Sequence, residues 1–144
     1  MMRQRSGRRV PSSLIWLALL FGLSVAVAIV SGAVLYWQTQ ASARTRAEGI
    51  THGSATAGQL AIGRYGCGGC HVIPGVAGAQ GAVGPTLAKI ATRAEIAGKL
   101  PNDPEAMVRW LMHPQHVSPG SGMPEMGVTE RDARDMAAYL YTED

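Results

Sequence analysis

Cys67-Gly68-Gly69-Cys70-His71 is the stretch on which the reading of this 144-residue chain turns. Two cysteines about one helical turn apart can reach the two vinyl groups along one edge of a porphyrin while the adjoining imidazole points at the iron. C-x-x-C-H is accordingly the attachment signature of a covalently bound haem, with Cys67 and Cys70 expected as thioethers and His71 as the proximal ligand. No other cysteine occurs, so none remains for a structural disulfide or a four-ligand zinc site. A redox dithiol shares the C-x-x-C spacing but follows a strand in a βαβ unit. Here the preceding run, Thr56 to Tyr65, is rich in Gly and Ala, with Leu60, Ile62 and Tyr65 too irregular for a strand.

Upstream, Leu14 to Trp37 is a run of 24 residues without a charge. At about 1.5 Å per residue it is long enough to cross the roughly 30 Å hydrocarbon core of a bilayer. Arg3, Arg5, Arg8 and Arg9 precede it and no acid occurs before Glu48, which by the positive-inside rule leaves the N-terminus in the cytoplasm and exports the rest. Trp16 and the pair Tyr36-Trp37 suit the two interfacial aromatic belts. A cleaved signal peptide competes with this reading, since Ala41-Ser42-Ala43 resembles a cleavage site, but the apolar region exceeds an ordinary signal core. The expected organisation is a basic cytoplasmic stub (1–13), a transmembrane anchor (14–37), a linker (38–55) and one exported domain (56–144) at the periplasmic face of a bacterial inner membrane.

Charge agrees with that division. The chain is +3, yet residues 38–144 carry nine basic against ten acidic side chains. The basic excess lies on the stub, so the overall pI implies nothing about nucleic acid. The polar, aperiodic stretch QTQASARTRAEGITHGSA (38–55) reads as a flexible linker, and His52 within it as a solvated side chain. A domain of about 90 residues buries a modest core, and a large apolar cofactor would supply much of what is missing.

The domain reads as all-α. A first helix, about Thr56 to Tyr65, enters the cysteine motif, and Val72 to Gly84 is an irregular loop. Asn102 is the expected N-cap of a second helix, with Pro104-Glu105 in its first turn, Met107, Val108, Trp110 and Leu111 as its apolar stripe, and Pro114 as its limit. Thr129 opens a capping box with Asp132, and Met136, Ala137, Tyr139 and Leu140 form the apolar face of the last helix. No stretch alternates long enough for a strand. Between the last two helices, Pro114 to Pro124 is a Pro- and Gly-rich loop suited to presenting a ligand. Met123, Met126, His113 and His116 are the candidates for the second axial position.

From Gly58 to Tyr141 the chain resembles class I cytochromes c. The resemblance rests on C-x-x-C-H after a first helix, Gly84-Pro85-x-Leu87, the P-x4-P-G-x-x-M loop and a last helix ending Ala138-Tyr139-Leu140-Tyr141. It implies three to four short helices around one haem, with Met123 as the second iron ligand and Met126 in a slot usually apolar. It further implies that the Pro85 carbonyl supports His71, and that Arg93 and Ser121 meet the propionates. Met107, Met112 and Met136 are left to packing, as is Trp110. The lysine ring by which soluble mitochondrial-type members of the family dock is missing, and Lys89, Lys99 and Arg93 are among the few basic side chains of the domain.

A thioether ligand favours Fe(II), raises the potential and leaves no open site for substrate. The implied role is a membrane-tethered carrier of single electrons between respiratory components, such as a bc-type complex or a dehydrogenase and a terminal oxidase, without a small-molecule substrate. Two other readings are a fixed haem subunit of a larger oxidase or bc-type complex, and a five-coordinate haem enzyme or gas sensor in which Met123 does not bind.

Overall fold

A computed structural model describes residues 11–143. The arginines of the basic stub, Arg3, Arg5, Arg8 and Arg9, lie outside the described residues. The chain falls into two units that divide after Thr39. The first is the apolar part of helix α1, Ser12–Thr51, which is long and apolar enough to cross a membrane. Its side chains, among them Leu14, Trp16, Phe21, Ile29 and Trp37, are all exposed.

The second unit is mostly helical: the end of α1, then α2 (Ala55–Arg64), α3 (Pro104–Met112), the four-residue α4 (Pro114–Val117) and α5 (Glu130–Leu140). Two 3-10 turns, Cys67–Gly69 and Ile90–Thr92, punctuate the loops. A two-residue antiparallel ladder is a correction to the strand-free expectation: β1 (Glu95–Ile96) pairs with β2 (Leu100–Pro101). Ala97 and Gly98 turn the chain between them with φ of 54° and 63°, the left-handed pair that closes a tight hairpin.

The largest departure lies at residues 38–51, read as flexible linker and found as helix. Ala41, Ala43, Ala47, Arg44, Arg46 and Glu48 are good helix formers. The hydroxyls of Thr45 and Thr51 bond back to Ala41 O (3.0 Å) and Ala47 O (2.8 Å) rather than competing with the helix. The segment buries Ala47 and Thr51. Because its buried residues are small or polar, hydropathy shows no period there. Arg134 Nη1 donates to Thr51 O (3.3 Å), Ala55 N donates to Glu48 Oε1 (2.9 Å) and Ser54 N to Asp135 Oδ1 (2.7 Å). His52, with φ of 55°, ends the helix, and only 52–54 separate it from α2.

The core is made chiefly by α2 and α3 against α5: Ala61, Ile62, Ala106, Met107, Val108, Leu111, Ala133, Met136, Ala137 and Leu140. Gly58 sets how closely α2 meets α5, because a Cβ there would overlap the Asp135 carbonyl and stand 2.9 Å from Met136 N. Thr129 caps α5 as expected, accepting from Asp132 N (3.2 Å). The cap of α3 is Asp103, one residue beyond the expected Asn102; its carboxylate accepts from Ala106 N (2.8 Å). Asn102 instead joins two loops to α5, donating to Ile90 O and Arg93 O (both 2.8 Å) and accepting from Tyr141 Oη (2.7 Å).

Candidate haem-binding site

The cysteine motif leaves α2 through Tyr65 and Gly66 and winds into a single tight turn. Cys67 O accepts from both Cys70 N (3.2 Å) and His71 N (3.1 Å), which brings the two cysteines to one turn and starts His71 at its end. Both thiols are free and partly buried. Burial pushes the Cys67 thiol up, its own backbone hydrogen bond opposing and Cys70 adding to the rise. A redox dithiol is activated by the opposite shift, so the environment disfavours that reading.

The chain then returns across the motif. Gly81 N donates to Gly68 O (3.0 Å), Gly84 N to Cys70 O (2.8 Å) and Leu87 N to Val72 O (2.8 Å). This strap lays Gly84 against the face of His71, where a Cβ would stand 2.6 Å from Nδ1 and 2.9 Å from Nε2. It also sets Pro85 O 2.7 Å from His71 Nδ1. A carbonyl oxygen can only accept, so Nδ1 carries the proton, and a neutral ring in this tautomer has its lone pair on Nε2. That tautomer, with its ring held by a carbonyl, is the state of a metal-ligating histidine. Two free thiols on one turn beside such an imidazole fit a covalently attached haem. Among the described residues no group of three or more His, Cys, Asp or Glu side chains is placed to hold a metal by itself.

The candidates for the second ligand separate by environment. Met123 is partly buried against the core together with Cys67, Leu87 and Trp110, whereas Met126 is 38% exposed. His113 and His116 are exposed, and His113 Nδ1 lies 3.8 Å from Glu125 Oε2. His52 is exposed and lines a cleft with Ser54, Glu130 and Asp135. Arg93 donates to Thr86 O and Ala88 O, fastening the segment that follows Pro85. Ser121 Oγ meets Gln115 Nε2 at 3.1 Å. Gln115 itself was missed by sequence reasoning, since an uncharged side chain after a proline carries no signal of the loop contacts it makes.

A C-x-x-C-H motif on a single turn, an imidazole whose Nδ1 is held by a carbonyl and a half-buried methionine on the loop before α5 fit a haem electron-transfer domain. The chain belongs to the Cytochrome c family, whose pattern matches residues 37–143. Over 87 residues it is 33% identical to cytochrome c oxidase subunit 2 of Alkalihalophilus pseudofirmus, a match covering 60% of this chain and 25% of that protein. The chain thus spans about a quarter of the length of that relative. No solved structure matches.

Proposed function

We propose that this protein is a membrane-anchored monohaem cytochrome c with its haem domain in the periplasm, carrying single electrons from a bc-type complex or a dehydrogenase to a terminal oxidase. Cys67 and Cys70 would hold the haem through thioethers, and His71 and Met123 would supply the two protein ligands to its iron. One observation carries the reading: the hydrogen bond from His71 Nδ1 to Pro85 O, which leaves Nε2 as a preset donor beside two free thiols. When bound, the haem supplies a one-electron couple whose potential the axial ligands tune. The protein's own part is to orient the imidazole through Pro85 and Gly84, to keep water from the buried side of the motif and to offer a soft sulfur from the 118–128 loop. Support for the anchor comes from α1, long and apolar enough to span a membrane, and from the arginines before it.

A second reading, a fixed haem domain within a larger oxidase, is favoured by the match to an oxidase subunit. Purification from solubilised membranes separates the two: a stoichiometric oxidase indicates the fixed domain, free migration the carrier. Attachment is tested on denaturing gels, where the wild type retains haem stain and the Cys67→Ser/Cys70→Ser protein retains none. A wild-type band without stain overturns the proposal.

A further inference from the structure

The loop that bears Met123 has no regular structure from Ser118 to Thr129, yet one side chain gathers it. Gln115 Nε2 donates to Met123 O (2.6 Å) and Ser121 O (2.8 Å), with Ser121 Oγ at 3.1 Å, and its Oε1 accepts from Gly120 N (3.1 Å). The Gln115 backbone N–H donates to Glu125 Oε1 (2.9 Å). A single residue thereby holds the chain on both sides of Met123.

We propose that Gln115 is a positioning residue for the sixth ligand, fixing the Met123 backbone so that its thioether remains on the iron. The inference rests on the reading of Met123 as an axial ligand. A methionine side chain has three rotatable bonds and imposes little order of its own, so the place of its sulfur is decided by where its backbone is pinned. Segments with few buried apolar contacts open locally at small cost, and every opening frees the iron position for a competitor. The carboxamide fits the task because its two N–H hydrogens serve the two carbonyls at positions 121 and 123, while its oxygen closes the turn at Gly120. The contacts stay within the loop, so the side chain acts on the ligand's position more than on the helical core.

The test uses the full-length, haem-loaded protein in detergent, in the ferric state, titrated with imidazole and followed by its visible spectrum. Gln115→Leu, which removes the hydrogen bonds at similar volume, is expected to bind imidazole roughly fivefold to thirtyfold more tightly than the wild type, about 1–2 kcal/mol for the loss of one or two bonds. Gln115→Glu keeps the acceptor for Gly120 N–H but not the donors. It is expected to show the same gain in affinity while amide exchange at Gly120 stays slow, whereas Gln115→Leu speeds it. Unchanged imidazole affinity in both variants, even with lowered thermal stability, overturns the proposal and leaves Gln115 a structural residue. Met123→Ala is the reference: if it binds imidazole no better than the wild type, the ligand assignment itself is wrong and the positioning role falls with it.

Discussion

At the scale of single residues, Gly84 and Met123 make the sharpest claims. Gly84 is bonded through its N–H to Cys70 O and lies on the His71 ring, so an added methyl has nowhere to move. Gly84→Ala is expected to destabilise the domain by about 1–3 kcal/mol and to displace the imidazole from Pro85 O, read by thermal unfolding together with the ferric spectrum. A stable variant with an unaltered spectrum would show that the approach is not tight. Met123→Ala is expected to open a coordination position, lower the potential and admit carbon monoxide to the ferrous form, while Met126→Ala changes little because that side chain is more exposed. Reversed phenotypes move the ligand to Met126, and normal behaviour in both directs attention to His113 or His116. The C-x-x-C-H motif was readable in the sequence because it has a fixed spacing. Gln115 and Asn102 were not, since their work is done by amide hydrogen bonds to backbone 5 to 12 residues away, a kind of contact that composition and periodicity do not encode.

Among the elements, α5 holds the domain's titration behaviour. The hydrogen bond from Tyr65, then that from Thr129, keep the Asp132 carboxyl below its ordinary 3.8. Arg134 likewise holds Glu105 below 4.5. Carboxylates lowered in the folded state contribute stability above their unfolded values, which is lost as pH falls through the folded ones. Acid unfolding is therefore expected below about pH 4, and Tyr65→Phe should move its midpoint upward; the absence of any movement would remove Asp132 from the account. At the other extreme, burial pushes the phenols of Tyr139 and Tyr141 up to about 12. A raised acid keeps its stabilising effect below the unfolded value near 10 and loses it through 12, because a phenolate cannot donate to Pro74 O or Asn102 Oδ1. The stability of the wild type should fall between pH 10 and 12, with a shallower slope in Tyr139→Phe, as followed by urea titration at each pH. An equal slope in both rules out Tyr139 as the source. The helices α2, α3 and α5 were legible from capping residues and apolar faces. The cap of α3 was misplaced by one residue because Asn102 and Asp103 are equally good caps by type, and tertiary bonds decided between them. The β1–β2 ladder was missed because two-residue strands have no period to detect.

For the whole molecule, residues 40–51, read as flexible linker, belong to the domain as helix and dock on it through Ala47, Thr51 and the bond from Arg134 to Thr51 O. A protein beginning at Gln40 is expected to fold with near-native stability. One beginning at Ala55 loses the Ser54 cap and the Arg134 bond to Thr51 O and should be less stable by about 1–3 kcal/mol. Thermal unfolding of the two compares them directly, and equal midpoints would mean that the helical segment adds nothing to the domain. The strap of residues 79–87 bears on how such a protein is made. On the proposed attachment, the thiols must be met before that strap closes, since it crosses the turn that carries them and Cys67 is already partly buried. On the proposed export from the N-terminus, α5, which completes the core, follows the motif across the membrane. On that proposal its later arrival would leave an interval in which the motif is exposed for attachment, and a mutation that speeds folding of residues 55–90 would shorten that interval and lower the yield of finished protein without altering the native state.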